Sequence, residues 1–277
     1  MITFVDFLLK PLSYAFMQRG LLAVVMVGVV CAVVGTYVVL RGLAFFGDAL
    51  AHAILPGVAV GYLVSGGARE PIFWWGLGTA VLTALGIGAV GKGAGIKEDT
   101  AIGIIFAGMF ALGIALISTV RNYAVDLAHF MFGDVLGVSV GDLWLTGVFG
   151  GLVILTILAF YKEFLVISFD PILAVTLRLP LGVLRNLLLV LIAVTVVVSL
   201  QTVGVALMVA MLITPAATAY LLTRRLPAMM TWAALIGALS GVVGLYLSYY
   251  VSMASGAAIV LVCTACFGLV LLLRRKP

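Results

Sequence analysis

The chain has 277 residues, 65% of them hydrophobic and 9% charged, with a formal net charge of +5 and a mean hydropathy of +1.35. A soluble domain carries about 25% charged residues, so water is excluded as the solvent for most of this surface. The basic residues are scattered along the chain and form no nucleic-acid face.

Residues 3–18 are mixed in polarity and read as an interfacial helix leading into the first span. The long apolar run that follows exceeds the core of a cleavable signal. Runs of about 20 apolar residues cross a bilayer as helices. Nine candidates occur, near 20–40, 49–65, 72–91, 100–120, 142–161, 185–200, 203–223, 228–251 and 256–273. Short alternating strands, the mark of an outer-membrane barrel, are absent from the pattern. The expected fold is all-α: a polytopic integral membrane protein of eight or nine transmembrane helices, one domain over 1–277 embedded in membrane lipid.

Lys and Arg stay on the cytoplasmic side of a membrane. With the N-terminus outside and nine crossings, the inner loops collect Arg41, Lys92, Lys97, Lys162, Arg178, Arg185, Arg224, Arg225, Arg274, Arg275 and Lys276. The outer side keeps Lys10, Arg19, Arg69 and Arg121. Trp74, Trp75 and Trp144 then fall at outer helix ends and Trp232 at an inner one, as interfacial tryptophans should. A re-entrant segment within 185–223 would flip the parity of everything upstream.

The stretch "RGLAFFGDALAHAILPG" (41–57) places Asp48 and His52 four residues apart, on one helical face with about 6 Å of rise between them. A carboxylate and an imidazole so spaced can share one divalent cation, and an ionisable residue in a membrane is a functional-site hypothesis by default. The competing structural account has Asp48 capping the helix start after "FFG" and His52 bonded to a carbonyl. Pro56 frees a backbone carbonyl near residue 52. On the neighbouring ridge Ala49, Ala53, Gly57 and Gly61 let another helix approach closely.

"GIGAVGKG" (86–93) fits both GxGxxG and half of a phosphate loop. Position 93 is Gly where Ser or Thr should hold magnesium, and the stretch ends a membrane span. Its glycines read as helix-packing residues, and no nucleotide site is expected in the chain. In "DLAHFMFGD" (126–134), Asp126 and His129 are weak candidates for attracting a cation at the outer mouth. "KEFLVISFDPILAVTLRLPLGVLR" (162–185) is the largest inner loop. Its Asp170-Pro171 pair predicts a short helix that begins at 171 and ends before Pro180. "LITPAATAY" (212–220) puts Pro215 inside a span, with Thr214 available to satisfy freed backbone groups, and reads as a pore-side kink. Cys263 and Cys266 have CxxC spacing within a span and read as packing residues, as does Cys31.

"LRGLAFFGDALAHAILPGVAVGY" (40–62) resembles the signature of the manganese/zinc/iron ABC permease family, the membrane subunit of metal importers. Further matches follow in order at 98–118, 132–139, 169–180, "VGVALMVAMLITPAATAYLL" (203–222) and 255–262, so the resemblance covers nearly the whole chain. It implies the ABC importer permease fold in a bacterial plasma membrane. It also implies a homodimer, two cytoplasmic ATPase subunits and an extracytoplasmic metal-binding protein. Asp48 and His52 fall on the acid and histidine that the motif associates with metal. The 169–180 segment, with Phe169, Asp170, Pro171 and Ala174, falls on the helix that docks into the ATPase. Mixed oxygen and nitrogen ligands suit a transported divalent metal, manganese first, then zinc, with iron possible; no permanently bound cofactor is expected. The competing class is a secondary carrier using Asp48 and His52 as a proton relay, which would need an inverted repeat that the sequence lacks. A metalloenzyme would need a richer ligand set than two histidines allow.

Overall fold

In hydrocarbon the backbone N–H and C=O groups have no water to bond, so a spanning segment satisfies them internally as a helix. A computed structural model of the protein describes residues 9–66, 68–93, 95–118 and 135–274. Its helices are α1 (Ala15–Leu40), α2 (Ala44–Ala53), α3 (Leu55–Ser65), α4 (Arg69–Gly93), α5 (Glu98–Ile117), α6 (Val140–Ala159), α7 (Tyr161–Phe169), α8 (Pro171–Thr176), α9 (Leu181–Val203), α10 (Val205–Leu222), α11 (Leu226–Val251) and α12 (Ser255–Leu273). Nine stretches among the described residues are long and apolar enough to cross a membrane, α2 and α3 together making one of them. These are the nine runs expected from the sequence. Before α1, residues 9–12 are helical and separated from it by a turn at Ser13 and Tyr14; the rest of the expected interfacial helix, residues 3–8, lies outside the described residues.

The chain divides into two compact units, one from Met1–Val39, His129–Gly151 and Val198–Pro277, the other from Leu40–Ala128 and Leu152–Val197. In the first, glycines bring backbones together. A Cβ on Gly28 would lie 3.0 Å from the Gly237 carbonyl, and one on Gly244 would lie 2.5 Å from Ile259 Cα. Gly35 faces the carbonyl of Leu212 just as closely. Lacking a hydrophobic drive between helices, membrane bundles gain their packing from such approaches.

The two helices α9 and α10 meet at Gly204, whose φ of +83° and ψ of 169° belong to a backbone region essentially reserved for glycine. Thr202, two residues before it, bonds Thr146 at 2.8 Å, and Gln201 Nε2 donates to Asp142 Oδ1 at 3.0 Å. Three residues after it, Leu207 lies against Gly256, at the start of α12. Helix α10 therefore leaves the end of the unit to which α11 returns. It is long and apolar enough to cross by itself and is one of the nine candidate spans among the described residues.

In the second unit α2 and α3 pack on α4 and α5. A Cβ on Gly57 would collide with Thr79 Oγ1 and the Trp75 carbonyl, and one on Gly61 would lie 2.8 Å from Ile72 Cα. Ala49 and Ala53 are buried on the same ridge. The small-residue ridge is thus the seat of α4. From the other side a Cβ on Gly113 of α5 would lie 2.5 Å from Leu55 Cβ.

Helix α8 forms as its sequence predicts. Asp170 Oδ1 accepts from the N–H groups of Ile172 and Leu173 at 3.0 and 2.9 Å. Pro171 occupies the first turn, where its missing N–H costs nothing. The helix closes with Arg178 N–H on the Val175 carbonyl and Leu179 N–H on the Ala174 carbonyl, the paired bonds of a Schellman ending. Arg178 takes the left-handed position at φ 56°, where glycine is usual, and Pro180 blocks any continuation.

Gly57→Ala should lower the stability of the detergent-solubilised protein by about 1–3 kcal/mol, because the new methyl has a backbone carbonyl in its way. Gly78→Ala, on the same α4 partner helix with nothing within 4 Å of its Cβ position, should be near neutral. Thermal unfolding followed by size-exclusion fluorescence separates the two; equal midpoints would refute the packing account. Asp170→Ala should cost about 1 kcal/mol of helix stability, read as roughly fivefold faster amide exchange at Ile172 and Leu173. Asp170→Asn should keep most of the protection.

Candidate metal centre

Asp48 lies inside α2, four residues beyond its first residue. The helix begins at Ala44 behind Leu43, which offers no side-chain cap. The account of Asp48 as an N-cap is therefore corrected: its carboxylate bonds no helix-start N–H and is free for another role. The first turn forms without a polar cap because Leu43 and Phe46 are buried in the unit and fix the chain there. Burial outweighs the roughly 1 kcal/mol a capping side chain contributes.

The pair points one way. His52 Nε2 stands 3.7 Å from Asp48 Oδ1, with His52 24% and Asp48 41% exposed. That is too long for a hydrogen bond. It is the span of two adjacent ligands around one ion with bonds of about 2.2 Å. His52 Nδ1 is buried without a hydrogen-bond partner, so no neighbouring carbonyl holds the ring by that nitrogen. The aromatic rings of α5 hold it instead. Phe110 meets the imidazole edge-on at 5.8 Å, and Phe106 lies 6.4 Å away. Phe106 in turn stacks on Phe110 and takes Phe45 edge-on.

The helix break adds an electrostatic element. Helix α2 stops at Ala53 and α3 restarts at Leu55, with Pro56 in its first turn. Pro56 has no N–H to give the His52 carbonyl. The Ile54 N–H turns back toward the carbonyls of Leu50 and His52. Helix carbonyl ends carry partial negative charge, and those of α2 end one residue beyond His52. No group of three or more His, Cys, Asp or Glu side chains assembles among the described residues. Among the described residues the pair thus brings together two side-chain donors.

The remaining candidates are distributed as follows. Asp126 and His129 lie outside the described residues. In α8, Ala174 is fully buried while Ile172 is 80% and Val175 64% exposed, and Phe169 just before it is also exposed. An apolar face is left uncovered around a helix anchored by one alanine. Pro215 is buried within α10, which runs through it as one helix, and Thr218 Oγ1 donates to the Thr214 carbonyl at 2.7 Å. Cys31 Sγ lies 3.2 Å from Ser199 Oγ and Cys263 Sγ 3.9 Å from Met211 Sδ, both thiols buried as packing groups.

A charge cluster escaped the reading of the sequence. Glu98 at the start of α5 receives Arg41 Nη2 at 3.2 and 3.0 Å on its two oxygens, and Arg185 Nε lies 2.8 Å away. Arg185 Nη2 also donates to the Gly88 carbonyl at 3.1 Å. Burial pushes the Arg41 pKa below its ordinary value, and the Glu98 charge opposes that shift; a guanidinium stays protonated in either case. Gly88 and Gly91, half of the supposed phosphate-loop glycines, make room for Asn186 and Arg185. Arg41 and Arg185 had been counted only as topology-setting charges and the glycines as packing residues, while Glu98 entered only within the 98–118 stretch.

Comparisons with known proteins agree on one assignment. The manganese transport system membrane protein MntC of Halalkalibacterium halodurans is 47% identical over 258 residues, 93% of this chain and 87% of that protein. A probable iron transport system membrane protein of Haemophilus influenzae is 39% identical over 95% of each chain. Among solved structures, PsaBC from Streptococcus pneumoniae in complex with Fab matches with a TM-score of 0.82 at 37% identity, covering 96% of this chain and 94% of that one. An inward-facing putative metal-chelate type ABC transporter shares the fold at a TM-score of 0.68 and 18% identity. The model of the ABC 3 transport family matches residues 13–274, and the chain belongs to that family.

Proposed function

We propose that this chain forms the cation path of a manganese importer, with Asp48 and His52 as the ligands the ion meets inside the membrane. The chain is the membrane permease of an ABC transporter, and ATP is hydrolysed by a separate subunit. The observation that carries the cation role is the pair itself: an uncapped carboxylate and an imidazole 3.7 Å apart on one face of a membrane-spanning helix. A carboxylate so placed offsets the hydration a divalent ion loses on leaving water. The imidazole favours transition metals over magnesium, which prefers oxygen. Manganese is favoured by relatives named for manganese transport at 46–47% identity. Iron(II) is the second cargo, through the relative named for iron at 39%, and zinc fits the same donor set.

Two ligands per chain suit a homodimer in which two copies of the pair face one central path. The exposure of Asp48 supports this, because a carboxylate in a span does not face lipid. Helix α8, with Phe169, Asp170, Pro171 and Ala174, is the segment that docks into the ATPase, its exposed apolar side chains forming the contact. An extracytoplasmic binding protein delivers the ion at the opposite face.

Asp48→Asn and His52→Ala should each lower manganese uptake at least about tenfold, the scale at which even the groups supporting a metal ligand act. Both should still insert and assemble, since each change makes the span less polar. The measurement is radiolabelled manganese uptake by vesicles holding the full complex, normalised to assembled transporter. Wild-type uptake by Asp48→Asn would sink the assignment.

A further inference from the structure

Arg41, Glu98 and Arg185 stand 57 and 87 residues apart in sequence, yet a single carboxylate receives both guanidinium groups. All three side chains are largely buried, at 13%, 20% and 26% exposed. Their positions in the chain are what give the cluster meaning. Arg185 lies in the second turn of α9, which follows α8 through the Arg178 turn and Pro180. Arg41 stands three residues before α2, the helix that carries Asp48 and His52. Glu98 heads α5, whose Phe106 and Phe110 lie against the His52 ring. The Gly88 carbonyl, also held by Arg185, belongs to α4, whose Trp75 and Thr79 seat Gly57 just beyond the pair.

We propose that the Arg41–Glu98–Arg185 cluster is the mechanical link that carries movement of the α8 segment to the helices enclosing the Asp48–His52 pair. The proposal rests on the reading of α8 as the ATPase-docking segment and of the pair as the cation site. A displacement of α8 moves the base of α9, and Arg185 with it. The carboxylate of Glu98 follows, because leaving a buried guanidinium or carboxylate unpaired is far more costly than moving its partner. Glu98 draws α5 and its phenylalanines, and Arg41 draws the start of α2. Both oxygens of Glu98 accept from Arg41 Nη2, and Arg185 holds Glu98 as an ion pair at 2.8 Å while its Nη2 donates to the Gly88 carbonyl. Glu98 is not itself a cation ligand, since two arginines beside it repel a divalent ion. These three are positioning residues, acting on the ion through other groups.

The test uses the complete transporter in proteoliposomes and reads four quantities: assembled complex, ATP hydrolysis, manganese binding and manganese uptake per ATP hydrolysed. Arg185→Gln removes only the tie to α9 and leaves the Arg41–Glu98 pair; Glu98→Gln removes the hub. In Arg185→Gln, assembly, hydrolysis and binding should stay within twofold of wild type while uptake per ATP falls at least tenfold. Arg185→Lys, which restores the charge, should recover a substantial part of it. Uptake per ATP within twofold of wild type in Arg185→Gln overturns the proposal. A parallel loss of assembly, binding and uptake in both Arg185→Gln and Glu98→Gln also overturns it, because the cluster is then a staple of the fold. Asp48→Asn is measured in the same vesicles. Wild-type uptake there refutes the cation site, while the uptake per ATP of Arg185→Gln still decides the link.

Discussion

An acidic side chain within a membrane-spanning helix is the constraint on which the rest of this structure depends. Asp48 is neither capped into a helix start nor paired within hydrogen-bond distance, since its nearest basic group is His52 at 3.7 Å. Placing a charge in a span costs several kcal/mol, and nothing in its own helix removes that cost. The compensation must arrive from outside the helix, as water, a cation or both. A segment with such a need cannot face lipid. The broken helix and the buried small-residue ridge on the adjacent face fit the proposed hydrated path beside Asp48.

That constraint explains why packing around α2 and α3 is so close. A span interrupted at Ile54 gives up part of its own hydrogen-bond ladder, and an interrupted span holds its place only if neighbours fix it. The neighbours do so at backbone distance. Gly57 and Gly61 accept α4, and Gly113 of α5 accepts the break itself at Leu55 and Pro56. Each glycine would be an ordinary alanine position in an isolated helix. Here the missing methyl lets a rigid helix replace the support that the break removes.

The spans were legible because one physical quantity, the length of an apolar run against the thickness of a bilayer, determines them. The short helix α8 was legible for another local reason: Asp170, Pro171 and Pro180 each act within one turn of where they stand. The competing account of Asp48 as a cap fails because the start of α2 is set by burial of Leu43 and Phe46, which no capping pattern reveals. The aromatic seat of His52 was half legible, since Phe106 and Phe110 stand four apart and share a helix face, but only the fold says which helix they meet. The Arg41–Glu98–Arg185 cluster was not legible at all. Charge signs and topology placed its members at the same membrane side, yet no rule of spacing joins residues separated by 57 and 87 positions.

The separation of the two polar groups within the second unit is itself informative. Glu98 and Phe106 are eight residues apart on α5, about 12 Å along the helix, and Arg41 and Asp48 are seven apart across the start of α2. The charge cluster and the ligand pair are therefore neighbours in the membrane's depth without touching. Arginines closer to the pair would act more strongly against a divalent ion there, since charge repulsion grows as distance shortens. If they were much farther, the two short helical arms between them would no longer behave as rigid bodies. The spacing suits a proposed cation site beside a fastening built from arginines, and helices serve as the connectors because their internal hydrogen bonds keep such a distance fixed.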